Sequence, residues 1–217
     1  ELVNLARHKK VFLFEAITTQ YLENYAKIRE LLPRIGTVKL VQCNFSQYSS
    51  RYDAFCAGDV QPAFDPACAG GALMDLGVYN VSYIVGLFGE PNQVKYTANM
   101  ERGIDTSGIL ILEYPNFVCQ CTAAKDSSAH NSAQIIGTEG SILIEPGSNN
   151  CQKLVVTRKG KEPYISEISD TPWWFEVLGI SNFLIVPQDA VKERRIRAMR
   201  SAVAVLEAAR KNAHLDF

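Results

Sequence analysis

The 217-residue sequence predicts an α+β fold: an open, mainly antiparallel β-sheet with helices on one face. Three observations carry that expectation. From Asn92 to Ile168 the pattern is almost entirely strand, with turn signals at Gly103, Pro115-Asn116, Gly137–Gly140, Gly147–Asn150 and Arg158-Lys-Gly160, the spacing of an antiparallel meander. Helical periodicity is confined to a few segments outside that stretch, too few to cover more than one face of a sheet. Several strands are nevertheless apolar on both faces, since Ile109 and Ile111 point one way and Leu110 and Leu112 the other. The second face therefore needs a cover; a second protomer is the preferred one, with loops or a strongly curved sheet as the alternative.

Taken in order, Lys10–Glu15 reads as a short buried strand. Residues 20–33 read as a helix, with Tyr21, Tyr25, Ile28 and Leu32 at helical spacing and Pro33 near its stop. Val38–Tyr48 is β-like. Residues 49–69 look irregular, mixing Ser, Asp, Gly and two prolines; a loop of that length in a compact domain is usually functional, and a simple packing loop anchored by Phe55 and Phe64 is the equal alternative. A glycine pair then opens an apolar-periodic helix running to Phe88. Two helices close the chain: 172–186, with Thr171 as N-cap and Pro172 at the first position, and 190–212, with Ile196, Met199, Val203 and Leu206 at core spacing. The aromatic run Trp173-Trp174-Phe175 is assigned to core packing, with the lining of a substrate pocket as the alternative.

Composition excludes several function classes. A hydrophobic content of 47% supports a packed core, and a net charge of −1 gives no electrostatic case for nucleic acid or a membrane surface. Lys192, Arg194, Arg195, Arg197 and Arg200 share a helical segment with core-spaced apolar residues, so they read as a solvated face. No apolar run approaches the ~20 residues of a membrane span. The six cysteines form no Cys-x-x-Cys pair and the three histidines lie far from metal-ligand spacing, so no metal is expected and the thiols are read as buried and reduced, in a cytoplasmic protein. Cys119 and Cys121, two apart on a strand, point to the same side.

The candidate chemistry centres on Asp75 and Tyr79. Four residues apart on one helix, they share a face, and a carboxylate and a phenol held rigidly together suit proton transfer to or from a substrate hydroxyl. Spacing alone leaves open the plainer alternative, a surface Asp near a helix start with a half-buried Tyr below it. Arg51, Tyr52 and Asp53 lie in the 49–69 loop, which the chain order lets fold over the start of the Asp75 helix. Lys125 and Asp126 follow a strand end, with His130 in the polar loop beyond.

Gly70-Gly-Ala-Leu-Met-Asp-Leu-Gly-Val-Tyr79 closely resembles the signature helix of the Gfo/Idh/MocA oxidoreductases. Phe45-Ser-Gln-Tyr-Ser-Ser-Arg-Tyr-Asp53 before it, and Phe88-Gly-Glu-Pro91, Gly103-Ile-Asp105 and Gly137-Thr-Glu-Gly140 after it, follow in family order. The resemblance covers essentially the whole chain and implies the C-terminal substrate domain of such an enzyme, residues 18–217, preceded by residues 1–17 as the last strand and helix remnants of a nucleotide-binding Rossmann domain. No Gly-x-Gly-x-x-Gly and no Glu-Lys-Pro segment occurs, so the chain is expected to lack the cofactor cradle and the family's catalytic lysine.

What the resemblance implies is an NAD(P)-dependent oxidoreductase that moves a hydride between nicotinamide and a sugar-, polyol- or diol-like carbinol. Asp75 and Tyr79 would be its catalytic residues, and Arg51, Tyr52 and Lys125 its substrate contacts. A phenol is a poor base at neutral pH unless nearby positive charge lowers its pKa, a charge the absent lysine and the nicotinamide would supply. The chain alone is expected to be inactive and to bind no NAD(P), and to self-associate through the sheet as a dimer or tetramer. A non-catalytic dimerising or ligand-binding module retaining the fold is the alternative.

Overall fold

The computed structural model describes residues 1–168, 172–185 and 189–215. Helix α1 (Leu2–Lys9) opens the chain. The apolar run 10–15 follows it as irregular chain rather than as a strand, with Val11 and Phe12 exposed. A strand is stable only beside a neighbour that takes up its backbone N–H and C=O groups, and the sheet offers this segment none. Phe12 and Phe14 instead pack edge-on against Phe183.

A 3-10 turn (Thr18–Tyr21) leads into α2 (Glu23–Leu31), which ends where Pro33 enters the 3-10 turn Leu32–Ile35 and withholds a backbone donor. After β1 (Val38–Ser46) the predicted irregular stretch proves partly ordered. It contains α3 (Tyr52–Cys56) and two 3-10 turns, Pro62–Phe64 and Pro66–Cys68, each opened by a proline whose fixed φ suits a first helical position. A π-helical turn, Leu73–Gly77, runs directly into α4 (Val78–Phe88). The stretch Pro66–Phe88 is long and apolar enough to cross a membrane by length and composition, which corrects the reading that no such run exists. Here only its second part, the π-helical turn and α4, is continuous helix, and that part packs on the sheet, joining the main cluster through Leu73, Val81, Ile84 and Val85.

The strands that follow are β2 (Gln93–Glu101), β3 (Ile104–Glu113), β4 (Val118–Ala124), β5 (Ser132–Gly137), β6 (Gly140–Glu145), β7 (Lys153–Arg158) and β8 (Lys161–Glu167). Helices α5 (Pro172–Ile185) and α6 (Asp189–Asn212) complete the chain. Thr171 and the side chain of Trp173 lie outside the described residues. Trp174, placed in the core by the sequence reading, is 56% exposed, while Phe175 is buried. On α6 it is Val205, not Val203, that joins Ile196 and Leu206 among the buried side chains.

One eight-stranded sheet results, in the order β2-β3-β4-β1-β5-β6-β7-β8. β1 pairs parallel with β4, and every other neighbouring pair is antiparallel. The helices lie on one face, where Val41, Cys43, Leu110, Leu112, Cys119, Cys121, Ile135 and Ile142 share a core with α2, α4 and α6. Cys119 and Cys121 do share a side, their sulfurs 3.7 Å apart. Two of the six thiols, Cys56 and Cys68, are exposed rather than buried, because both sit in the loop after β1. The opposite face carries a cross-strand row, Ile111, Gln120, Gln42, Gln134, Leu143, Val155 and Ile165.

A β-bulge shapes the sheet near the hairpin between β2 and β3. Asn99 faces Ser107 but Met100 faces Asp105, leaving Thr106 as the extra residue. The bulge turns Asp105 out of its alternation and onto the helical side, where it is fully buried and accepts hydrogen bonds from the Leu73 N–H and the Tyr96 hydroxyl, both at 2.7 Å. Gly71 fits against this carboxylate with φ of 98°, and a Cβ there would overlap Asp105 Oδ1. Gly71→Ala should therefore destabilise the protein by about 2–4 kcal/mol, combining backbone strain with overpacking. Urea unfolding measures this; an unchanged midpoint would show that the position tolerates a side chain.

Candidate active site

β1 and β4 end together, Ser46 opposite Ala124, so the carboxyl ends of the one parallel pair open onto the same edge. The alternation that puts Cys119, Cys121 and Ala123 under the helices continues to Lys125, one residue past β4, and aims it at the start of the Asp75 helix. Only 2% of the Lys125 side chain is exposed. Its Nζ donates to Asp75 Oδ2 at 2.7 Å and to the Ala63 carbonyl, and lies 4.2 Å from the centre of the Phe64 ring. Asp75 is half-exposed, at 49%, and sits in the π-helical turn, a distortion often found at functional sites.

Tyr79 lies one turn further along, its ring edge-on to Phe45 of β1 at 5.7 Å. Burial, and then the Asp75 carboxylate, push its phenol above the ordinary range. The loop after β1 forms the opposite wall. Arg51, Gln61, Pro62, Ala63, Cys68, Ala69, Gly70, Met74 and Asp75 line an open cleft of about 580 Å³. The loop thus does fold over the helix start: Ala63 carbonyl accepts from the Gly71 N–H at 3.1 Å as well as from Lys125.

The predicted site residues separate into three groups. Asp75 and Lys125 are brought together, Tyr79 stands near enough to Asp75 to feel its charge but does not line the cleft, and Arg51 lines the cleft with Asp75. Lys125 is nevertheless sealed beneath Asp75 and the loop, so its contact is with the carboxylate rather than with the cleft. Tyr52 does not line the cleft. Its ring stacks on Phe55 and tilts against Phe64, and its hydroxyl donates to Glu101 Oε2 at 2.7 Å, a bond that holds the phenol well above its usual range. His130 pairs with Glu145 at 2.8 Å on the exposed surface. Among the described residues no group of three or more His, Cys, Asp or Glu side chains is placed to hold a metal ion.

Two residues of the site escaped sequence reasoning. Asp105 was legible only as part of a family-like phrase, and nothing local signals the bulge that buries it. Phe64 read as a packing anchor, which it is, since it stacks on Phe55 at 4.7 Å; that the same ring also meets an ammonium required the fold.

An open sheet with one helical layer, and a carboxylate–ammonium pair at the ends of its parallel strands, defines an α+β domain with a substrate-sized cleft. The sequence profile of the GFO/IDH/MocA C-terminal domain matches residues 25–143, and the chain belongs to this family. It is 37% identical over 158 residues to the uncharacterized oxidoreductase YgjR of Escherichia coli strain K12, covering 72% of this chain and 48% of that protein. To scyllo-inositol 2-dehydrogenase (NADP(+)) IolU of Bacillus subtilis strain 168 it is 39% identical over 146 residues, 67% of this chain and 44% of that one. The chain spans about half the length of the curated relatives it matches. The crystal structure of KijD10, a 3-ketoreductase from Actinomadura kijaniata, shares the fold with a TM-score of 0.79 at 16% identity, over 97% of this chain and 65% of that one.

Asp105 yields a test of electrostatics. Burial lifts its carboxyl above the ordinary 3.8, with the bonds from Leu73 and Tyr96 pulling the other way. Above 3.8 and up to the raised value, the folded protein holds this proton and the unfolded chain does not, so stability from this group falls as pH rises through that window. Asp105→Asn removes the slope. Its stability relative to the parent should rise from acid to neutral pH in urea melts, whereas Asp105→Ala should cost about 2–3 kcal/mol by orphaning two buried donors. A pH-independent difference for the Asn variant would show that the carboxyl titrates alike in both states.

Proposed function

We propose that this chain is the substrate-binding and dimerisation part of an NAD(P)-dependent oxidoreductase, with residues 18–217 as the C-terminal domain and residues 1–17 as the end of a nucleotide-binding domain. The reaction is a hydride transfer between nicotinamide and the carbinol carbon of a sugar-, polyol- or diol-like substrate. The observation that carries this reading is Asp75, a half-exposed carboxylate at an open cleft, anchored from beneath by a buried ammonium with a phenol one turn away. Family membership and the NADP(+)-dependent inositol dehydrogenase among the relatives support it.

Among the described residues none forms a cradle for the cofactor. After β1 comes the loop to Tyr52 and after β4 the loop to β5, so the one parallel pair lacks the glycine-rich strand-to-helix turn that cradles a pyrophosphate. In this reading the cofactor is held by sequence outside the chain, and what the chain supplies is substrate handling. Asp75 accepts the hydrogen bond of a substrate hydroxyl, Lys125 fixes the orientation of that carboxylate, and Arg51 faces the substrate from the opposite wall. Tyr79, kept protonated by burial, donates to the substrate oxygen. Six free thiols suit a cytoplasmic protein. The exposed sheet face, with Ile109 and Val118 bare beside the glutamine row, suits a second protomer.

In the full-length protein containing this chain, Tyr79→Phe should reduce turnover of scyllo-inositol or a related polyol by about 10²–10⁴-fold. Asp75→Asn should impair turnover and affinity together. It should also cost about 1–3 kcal/mol in stability, because it leaves Lys125 buried without a counter-charge, the loss being moderated by the exposure of Asp75. Full activity of both variants would remove this helix face from the chemistry, and no turnover across a polyol and sugar panel with NAD or NADP would favour a non-catalytic module.

Self-association has its own test. Leu143→Lys together with Val155→Lys should convert a dimer or tetramer to monomers in sedimentation, since an interface on the order of 1,000 Å² or more would have to bury both. A parent that is already monomeric at high concentration would defeat the proposal.

A further inference from the structure

The hairpin between β2 and β3 turns in two residues, Arg102 and Gly103, both with positive φ (48° and 83°). That turn type strongly favours Asn or Gly at its first position, and an arginine there stores strain. The arginine has something to hold. Its Nη2 donates to the Cys56 carbonyl at 2.7 Å and its guanidinium lies 5.9 Å from the centre of the Phe55 ring. Beside it, Glu101 accepts from the Tyr52 hydroxyl at 2.7 Å. Both residues therefore grip the same short helix, α3, in the loop that walls the cleft.

The grip continues inward. Phe55, Phe64 and Ile104 form a small core of their own, separate from the main one, with Tyr52 and Ala63 packed against it. Phe64 and the Ala63 carbonyl are the loop's two contacts with the Lys125 ammonium, which in turn holds Asp75. A contiguous chain of contacts thus runs from the hairpin tip through Tyr52, Phe55 and Phe64 to the carboxylate.

We propose that Glu101 and Arg102 are positioning residues for the Asp75–Lys125 pair: they clasp the loop 49–70, and the clasped loop seals the lysine and sets the wall of the cleft. The role in turnover rests on the oxidoreductase reading; the sealing of Lys125 does not. The strained turn is retained because an asparagine or glycine, easier for the backbone, would have no side chain long enough to reach α3.

The test separates positioning from folding. In the full-length protein, reductive methylation with peptide mass spectrometry reads how accessible Lys125 is. Arg102→Asn relieves the turn, so its unfolding midpoint should hold or rise, yet Lys125 labelling should increase by about 10-fold through local opening of the loop. Glu101→Ala and Tyr52→Phe should raise labelling likewise, while Glu101→Gln, which still offers the Tyr52 hydroxyl an acceptor, should stay near the parent. Where the protein turns over a polyol, Arg102→Asn should lower kcat/KM by about 10-fold, mainly through KM. Unchanged Lys125 labelling in Arg102→Asn, or in Tyr52→Phe, overturns the proposal, since the stacked rings alone would then hold the loop. Labelling needs no turnover, so an inactive protein would defeat the functional reading while leaving this result decisive by itself.

Discussion

A lysine ammonium removed from water must be met by partners on all sides, because an unpaired buried charge costs several kcal/mol. Lys125 is that charge, and the architecture around the cleft follows from satisfying it. Its three N–H donors and its positive field are met by a carboxylate from the π-helical turn, a carbonyl from the loop after β1 and an aromatic face from the same loop. The loop after β1 and the helix that follows it are thereby brought to one point with a strand end far along the chain. Removing any one of them would expose or strand the charge, so the loop and the helix are held in place by the same electrostatic requirement.

The two aspartates of this region show how environment divides similar groups between tasks. Asp75 reaches half into the cleft and is paired with a cation. Asp105 is sealed below the helix start, meets a backbone N–H and a phenol, and is lifted in pKa by burial. The bulge at Thr106 makes the difference, since it turns Asp105 inward where regular alternation would have pointed it at the opposite face. Asp105 thus fixes the N-terminal end of the same π-helical turn that presents Asp75, and the geometry of the exposed carboxylate is inherited from the buried one.

The sheet works as a platform with two unlike faces. One packs against α2, α4 and α6 through an aliphatic and thiol-rich core. The other mixes aliphatic side chains with a central line of glutamines, Gln42, Gln120 and Gln134, in register across three strands. The parallel pairing of β1 with β4 is the single departure from antiparallel order, and it places two strand ends, the loop and the lysine at the same edge.

The sequence by itself determined the fold class, the positions of most elements and the helix face shared by Asp75 and Tyr79, because these depend on local periodicity and turn chemistry that each segment carries within itself. The distinctive wording around Asp75 was also legible, and with it the family. What only the tertiary structure decided were the relations between segments. The apolar run 10–15 has strand composition but no neighbour to pair with. Tyr52 lies beside Arg51 in sequence yet turns away to Glu101, and Lys125 joins Asp75 across fifty residues of chain. Pairing partners, a bulge and the burial of a charge are set by what arrives on the other side of a side chain, and that is fixed only when the sheet closes over its helices.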